Sequence, residues 1–262
     1  MKILSLLLAA ATFATGAEVK TLWADGVSPQ QGWYDFDKAR DGSQSGLCWA
    51  ICASNLIAWW QNTQAPETLP AQVPMGEAVW HTFRDSFSND GSDPDQGLRW
   101  WFSGKYRPSQ PATGETCATV TNTATGSYYK HCEGEGDGYL WALLYRGRGS
   151  QVTAQTMSSA FYEGFKRGHA FWVGVAYYRR NGRRYTHSLT VWGIDTEPQA
   201  DGTPRIVALY MTDSDDGTHC LHRIPLKEEA GMLKFDCPQH PLYGQIGDIT
   251  ITNYTGMKTA PF

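Results

Sequence analysis

The sequence has few charged residues and no excess of basic ones. Only 18% of its 262 residues are Asp, Glu, Lys or Arg, and the formal net charge is −4. A nucleic-acid-binding domain needs a basic surface, and a peripheral membrane protein typically carries a run of Lys and Arg. The sequence has neither feature, so neither class of protein is favoured. We expect no nucleic-acid partner.

Several signatures of cofactor-dependent enzymes are also missing. There is no His-Glu-x-x-His motif, phosphate-binding loop or glycine-rich dinucleotide fingerprint. An EF-hand calcium-binding loop starting at Asp213 is excluded, because Gly217 and Ile224 occupy positions that must supply side-chain oxygen ligands. We expect no cofactor and no metal.

Long apolar segments are absent beyond the N-terminus. Lys2 is followed by a short apolar run over residues 3–11 and small residues to Ala17, which predicts a secretory signal peptide over residues 1–17. The run is too short to span a membrane, and it lacks the amphipathic period of an ordinary N-terminal helix. We therefore predict a secreted monomer with one domain, residues 18–262, and no membrane contact after cleavage.

An exported protein is expected to form disulfides, and the sequence has six cysteines. Cys117 and Cys132 flank a polar stretch rich in Thr and Gly, and Cys220 and Cys237 flank a second excursion. We predict a disulfide within each pair, and each should stabilise the folded protein by about 3 kcal/mol by closing a modest loop. Six cysteines allow about 15 full pairings, so other connectivities stay open.

A zinc site is the alternative use of the C-terminal cysteines. Four ligand-type residues occur there: Cys220, His222, Cys237 and His240. Their spacing is not that of a zinc finger, and the exported setting favours a disulfide. Either use leaves Cys48 and Cys52, which we expect to be unbridged.

Helical patterns dominate the first part of the chain, after an extended segment over residues 18–47. Apolar residues at helical spacing predict a mostly buried helix over Cys48–Gln61, with Ser43, Ser45 and Gly46 available to cap it. Further helices are predicted over residues 77–87, 96–106, 139–145 and 156–166.

Strand patterns follow. Residues 170–180 and 183–196 flank Asn181-Gly182, which is typical of a tight β-hairpin, and residues 205–212 and 247–253 form further β-rich runs. Helices followed by strands predict an α+β fold, in which a helical part packs on an antiparallel sheet.

Cys48 stands where the buried helix is predicted to begin. The helix N-terminus carries about half a positive charge, which lowers a thiol pKa from its usual value near ~8.5. A buried core cysteine is the ordinary alternative, and Cys52, one turn further along, suits that role better.

His187 lies in the second strand of the predicted hairpin, and Asp213 and Asp215 lie where the third strand ends. Taken singly, the histidine is more often structural, and an acidic cluster of this kind commonly forms a turn. Together, Cys, His and Asp are the parts of a thiol nucleophile, its base and the acid that orients the base.

These segments resemble the IdeS/Mac family of secreted bacterial cysteine endopeptidases, whose founding members cleave immunoglobulin heavy chains. The resemblance covers roughly residues 21–62 and 170–216. It rests on Gln31–Asp35 with Lys38, on Leu47-Cys48 before a helix ending in Trp59-Trp60, on His187 with Trp192-Gly193, and on Thr212–Asp215.

The resemblance implies a papain-like fold and assigns roles to five residues. Cys48 is the nucleophile, His187 the base, Asp213 the acid that orients it and Asp215 a second supporting acid. Lys38 forms the oxyanion hole with the backbone N–H of Cys48, and a solvated charge is the alternative for this lysine. The chain departs from the family in Trp49, where a small residue is usual, and in its additional cysteines.

We therefore expect a secreted cysteine endopeptidase that cleaves a protein through an acyl-enzyme, with immunoglobulin as the substrate that the resemblance implies. An acyltransferase of the transglutaminase type on the same papain-like frame is one alternative. A non-catalytic secreted binding module is another, motivated by the 11 Trp and 13 Tyr residues.

Overall fold

A closed antiparallel β-barrel forms the centre of the protein. The computed structural model describes residues 18–63, 72–107, 116–121, 126–129, 141–179 and 182–259. These ranges contain eight strands: β1 (Lys20–Trp23), β2 (Trp141–Arg148), β3 (Ala170–Tyr178), β4 (Arg184–Pro198), β5 (Pro204–Thr212), β6 (His222–Glu229), β7 (Met232–Phe235) and β8 (Thr250–Thr259).

Six of the strands close the barrel. They follow the order β4-β3-β8-β7-β6-β5, and the pairing of β5 with β4 completes the ring. The remaining two extend it, since β1 pairs with β4 and β2 pairs with β8, both antiparallel. Closure leaves none of the six ring strands as a free edge, which removes a template for aggregation.

The long strand β4 has partners on both edges. Its first half pairs with β3, its second half pairs with β1 on the same edge, and β5 covers the other edge. Residues 187–196 are all buried, on both faces of the strand. Burial of both faces explains why Leu189, Val191, Trp192 and Ile194 lie close together in one largely apolar segment.

Four α-helices lie in the described ranges: α1 (Cys48–Thr63), α2 (Glu77–Ser86), α3 (Pro94–Ser103) and α4 (Ala154–Lys166). Helix α1 packs against α2 and α3 as well as against β4. Every residue from Trp49 to Gln61 is buried, as expected of a helix that is apolar all round. None of these helices combines the length and apolar character that a membrane crossing requires.

The predicted fold class is wrong. The structure is a closed six-stranded barrel with two added strands and short helices, not a papain-like α+β arrangement of a helical part on a sheet. Strands β6 and β7 were not predicted, because β6 contains Pro225 and four charged residues and lacks the usual alternation. Backbone pairing with β5 and β7, rather than side-chain pattern, makes it a strand.

Local predictions fared better. Helices α1, α2, α3 and α4 and strands β3, β4 and β5 occur at the predicted places, within a few residues at their ends. Strand β8 overlaps the predicted run over 247–253 only in part, since it extends to Thr259. The predicted helix over residues 139–145 is wrong, since Trp141–Arg148 is strand β2. A short apolar run fits a strand or a buried helix equally well, and here pairing with β8 decides.

The predicted disulfide between Cys220 and Cys237 is also wrong, because both residues are free thiols. The other predicted pair involves Cys132, which lies outside the described residues, as does the predicted signal peptide. Cys48 and Cys52 are free thiols.

We predict that Gly164→Ala in α4 lowers the free energy of unfolding by about 1–3 kcal/mol, the usual cost of overpacking. A Cβ at this position would lie 2.3 Å from Cζ of Phe171. That ring is fully buried against Phe161 and Phe165 and has no room to move away.

Urea unfolding followed by tryptophan fluorescence measures the effect. Gly91→Ala is the matched control, because no atom lies within 4 Å of its added Cβ. Equal stability of the two variants would contradict the close packing of α4 on β3.

Candidate active site

Cys48 begins helix α1, and a tight contact sets the chain direction just before it. The backbone N–H of Gly46 donates to Oδ1 of Asn89 at 2.8 Å. A Cβ on Gly46 would lie 2.8 Å from the backbone oxygen of Asn89, so only glycine fits. The helix begins directly afterwards, with Ala50 and Ile51 donating to the carbonyl of Leu47 at 3.0 and 3.1 Å.

The thiol of Cys48 interacts with the side chain of His187 and with the backbone N–H of Ser188. Burial acts to raise the pKa of the thiol. The interaction with His187 and the positive charges of His187 and Lys38 outweigh burial and leave the Cys48 pKa below its usual value. These contacts favour the thiolate, the nucleophilic form.

His187 is held by Asp213 through a short buried hydrogen bond. Nε2 of His187 lies 2.6 Å from Oδ1 of Asp213, which leaves Nδ1 as the nitrogen available to the thiol. Burial acts to lower the His187 pKa, but the carboxylate of Asp213 raises it well above the ordinary value. In turn, burial acts to raise the Asp213 pKa, and the charge of His187 lowers it to about 2.

Two further groups secure Asp213. The hydroxyl of Tyr243 donates to Oδ2, and the backbone N–H of Asp215 donates to Oδ1 at 2.9 Å. Tyr243 lies in a short 3₁₀ turn between β7 and β8. Sequence reasoning missed it, because nothing about an isolated tyrosine in a loop distinguishes it from the other twelve.

Lys38 lies next to the thiol and is fixed at both of its ends. Its ammonium pairs with Asp215 and donates to the carbonyl of Ser45 at 3.3 Å, while its backbone N–H donates to the carbonyl of Ser214 at 3.0 Å. Only 9% of the side chain is exposed, so Lys38 is not a solvated charge. Burial acts to lower its pKa, and the negative charges of Cys48 and Asp215 raise it overall.

Two polar bridges join the elements that carry these groups. On helix α1, Asn55 donates to Oγ1 of Thr190 on β4 at 3.2 Å and accepts from the backbone N–H of Phe36 at 3.1 Å. On β4, the indole of Trp192 donates to Oγ1 of Thr212 at 3.0 Å, and that hydroxyl donates to the carbonyl of Tyr34 at 3.0 Å. Both bridges anchor the segment that leads to Lys38.

Cys52 and Trp49 have structural surroundings. The thiol of Cys52 is buried and accepts from Oγ1 of Thr190 at 3.5 Å, and burial raises its pKa well above the usual value. The Trp49 indole is fully buried, packs edge-on against Phe87 and donates to the carbonyl of Asp90 at 3.0 Å. Trp49 therefore belongs to the aromatic core beneath the thiol.

The candidate site opens on a cleft of about 870 Å³ whose lining includes Cys48, His187, Lys38 and Asp215. Acidic groups and arginines both border it: Asp90, Asp93, Arg148, Arg179 and Arg184. Arg148 pairs with Asp93 at 2.5 Å. The thiol thus faces a large groove of mixed charge.

Acidic side chains accumulate behind the site. Burial, partly offset by a backbone hydrogen bond from Cys220, raises the pKa of Asp35 to about 8, with the charge of Asp216 adding to the shift. Burial and Asp216 also raise the pKa of Asp37. Burial and the crowding of carboxylates therefore oppose ionisation of both residues.

The five predicted site residues therefore come together: Cys48, His187, Asp213, Asp215 and Lys38. His187, Asp213 and Asp215 also place possible metal-ligand atoms within 4.8 Å of one another. Nε2 of His187 is already engaged by Asp213, and the ammonium of Lys38 sits on Asp215, where it would repel a cation. The geometry favours a nucleophile and base over a metal centre at this position.

No model of a known protein family matches the chain, and no curated protein is significantly similar to it.

We predict that Cys48 stays reactive below the pH at which an ordinary thiol does. Because the Cys48 pKa is lowered, its rate of alkylation by iodoacetamide should still be high below about pH 8.5, where free thiols lose theirs. Lys38→Met removes a positive charge beside the thiol, so the midpoint of the pH profile should move upward.

Mass spectrometry of the Cys48 peptide gives the rate at each pH. Lys227→Met is the control, because Lys227 is an exposed partner of Glu229 on β6 and should leave the midpoint unchanged. An identical midpoint for Lys38→Met and the parent protein would show that Lys38 does not act on the thiol.

Proposed function

We propose that this protein is a cysteine endopeptidase that hydrolyses a polypeptide through an acyl-enzyme. The observation that carries the proposal is that the thiol of Cys48 interacts with His187, which is hydrogen-bonded to Asp213, beside a large cleft. Nucleophile, base and orienting acid in this order are the requirements for acyl transfer by a thiol.

In the proposed reaction, Sγ of Cys48 attacks the carbonyl carbon of the scissile peptide bond, and its electron pair forms the new S–C bond. His187, which holds the proton as an imidazolium, protonates the leaving nitrogen as the C–N bond breaks. Water then attacks the thioester with His187 as general base. This step releases the new carboxyl terminus of the substrate and regenerates the Cys48 thiolate and the His187 imidazolium. Asp213 keeps the imidazole in one orientation throughout.

Lys38 and the backbone N–H of Cys48 are the proposed donors to the oxyanion of the tetrahedral intermediate. The charges of the buried ammonium and the thiol interact, and Asp215 and Ser45 hold the ammonium in place before substrate binds. A preorganised donor of this kind stabilises charge that develops only in the transition state. Asp215 is thus proposed to position Lys38 in addition to facing His187, from which it lies 4.0 Å away.

The proposed substrate is an exported or surface-exposed protein. The cleft has room for an extended chain, and its mixture of carboxylates and arginines suits a polypeptide better than a uniformly charged ligand. The resemblance of the sequence to immunoglobulin-cleaving endopeptidases makes immunoglobulin heavy chains the first substrate to test, and secretion is proposed on the N-terminal pattern.

We predict that Cys48→Ala abolishes cleavage, because no other described thiol contacts His187. Purified parent and variant proteins are incubated with immunoglobulin and with a mixed peptide library, and the products are identified by mass spectrometry. Cys237→Ser is the matched control and should cleave at the parent rate.

The products also separate the alternatives. Hydrolysis adds water at the cleaved bond, whereas an acyltransferase of the transglutaminase type would release ammonia and join two chains. Cleavage by Cys48→Ala at the parent rate would rule out the proposed nucleophile, and an unreactive Cys48 in a protein that binds glycans would favour a binding module.

We predict that Lys38→Met lowers kcat by about 100- to 1,000-fold with little change in KM, the usual result of losing one oxyanion donor. The reason is that the proposed contact forms fully only in the transition state. Steady-state kinetics on a cleaved peptide measure the effect, at a pH where Cys48 is fully ionised in both proteins. A loss confined to KM would place Lys38 in substrate binding instead.

A further inference from the structure

Three side chains with metal-ligand atoms converge behind the candidate active site. Sγ of Cys220 lies 3.1 Å from Nε2 of His222 and 3.8 Å from Oδ2 of Asp216, and the same His222 nitrogen is hydrogen-bonded to that carboxylate oxygen. All three residues are partly buried, and the three ligand atoms lie within 4.8 Å of one another. The cluster lies in the loop after β5 and at the start of β6.

Unpartnered carboxylate oxygens lie against this cluster. Oδ2 of Asp35 accepts from the backbone N–H of Cys220 at 3.0 Å, while Oδ1 of the same residue is buried and has no hydrogen-bond partner among the described residues. Asp35 is only 7% exposed. Oδ1 of Asp37 is likewise buried and unpartnered within the described ranges. A buried oxygen left in this way destabilises a protein unless protonation, a cation or water compensates it.

Two described cations lie near these carboxylates. Lys38 pairs with Asp215, and Arg40 donates to the carbonyl of Gly217 at 2.6 Å from an exposed position and acts on Asp37 through its positive charge. A cation at Asp216 would add to this positive charge on the side of Cys220.

His240 fixes the orientation of the His222 ring. Nδ1 of His240 accepts from the backbone N–H groups of Leu242 and Tyr243, both at 3.3 Å, so its Nε2 donates to Nδ1 of His222 at 3.1 Å. Nε2 of His222 therefore points to Cys220 and Asp216. The His240 ring stacks on Tyr243, with centroids 4.6 Å apart.

We propose that Asp216, Cys220 and His222 bind a divalent transition-metal ion, with zinc as the best match. Thiolate, imidazole and carboxylate are the ligands that zinc prefers, and three of them leave one tetrahedral position for water. Tetrahedral bonds of about 2.0–2.3 Å place ligand atoms about 3.3–3.7 Å apart. The distances of 3.1 Å and 3.8 Å from Sγ of Cys220 lie just below and just above that range. Nε2 of His222 and Oδ2 of Asp216 must move slightly apart to reach it. The ion takes the place of two protons: that of the Cys220 thiol, which is released to water, and that on Nε2 of His222, which moves to Nδ1. His240 must then accept from Nδ1 of His222 and give up the two backbone N–H groups that its own Nδ1 accepts.

The ion would act as a structural support for the candidate active site. Its ligands follow Asp213 and Asp215 in the chain, and Asp35 precedes Lys38 by three residues. Tyr243 links the two regions, because it stacks on His240 and donates to Asp213. Metal binding would thereby fix both the acid that orients His187 and the segment that carries Lys38, without touching the reacting atoms.

Cobalt titration of the full-length Cys48→Ala protein tests the site, because this background lacks the catalytic thiol. We expect one equivalent of Co²⁺ to bind with the visible spectrum of a tetrahedral ion and a thiolate charge-transfer band, and Zn²⁺ to displace it. Adding Cys220→Ser should remove that band and weaken binding by at least about 100-fold, more than the loss of a supporting partner costs. Cys237→Ser on the same background should leave the spectrum unchanged.

Thermal unfolding provides a second measurement. Zn²⁺ should raise the Tm of the Cys48→Ala protein and of its Cys237→Ser variant, but not that of its His222→Gln variant. Three results would overturn the proposal: absence of Co²⁺ binding, a charge-transfer band that survives Cys220→Ser, or a Cys220–Cys237 disulfide in the purified protein. Binding without a thiolate band would point instead to His187, Asp213 and Asp215.

Discussion

Strand β4 is the element on which both the barrel and the candidate site depend. It pairs with β3 and β1 along one edge and with β5 along the other, so it closes the ring and carries His187 into the interior. The register of β4 on β5 brings the end of β5 beside His187, and Asp213 follows β5 directly. Without that pairing, a residue 26 positions away would not reach the imidazole.

A buried ion pair makes this arrangement both costly and specific. Taking His187 and Asp213 out of water carries a large desolvation penalty, which their mutual attraction offsets only if the geometry is good and the remaining lone pairs are satisfied. Tyr243 and the backbone of Asp215 provide those extra hydrogen bonds. Burial by itself lowers the His187 pKa and raises the Cys48 pKa. The charge of Asp213 reverses the first shift, and His187 and Lys38 reverse the second, which favours an ion pair between thiolate and imidazolium.

The charged groups behind the ion pair are arranged differently. Around the ion pair, each charge has a partner of opposite sign, including Lys38 on Asp215. Around Cys220, carboxylates crowd together and two of their oxygens are buried without partners in the described ranges. Charges are paired at the candidate site, whereas carboxylate oxygens behind it lack described partners. This contrast is the reason to separate a proposed thiol chemistry in front from a proposed metal site behind.

The sequence by itself determined the local elements and the list of reactive residues. Apolar periodicity located α1 and the β3–β4 hairpin, and residue chemistry singled out Cys48, His187 and Asp213. Periodicity reports only which face of an element is apolar, so it predicted strand Trp141–Arg148 as a helix in part and missed β6 and β7.

Tertiary structure decided the closed barrel, the free thiols of Cys220 and Cys237, and the roles of Tyr243 and Asp35. Each of these depends on backbone pairing or on contacts between residues far apart in the chain. Strand register and desolvation determine those contacts. Neither can be predicted from a local pattern of residues, because both depend on segments that are far apart in the sequence.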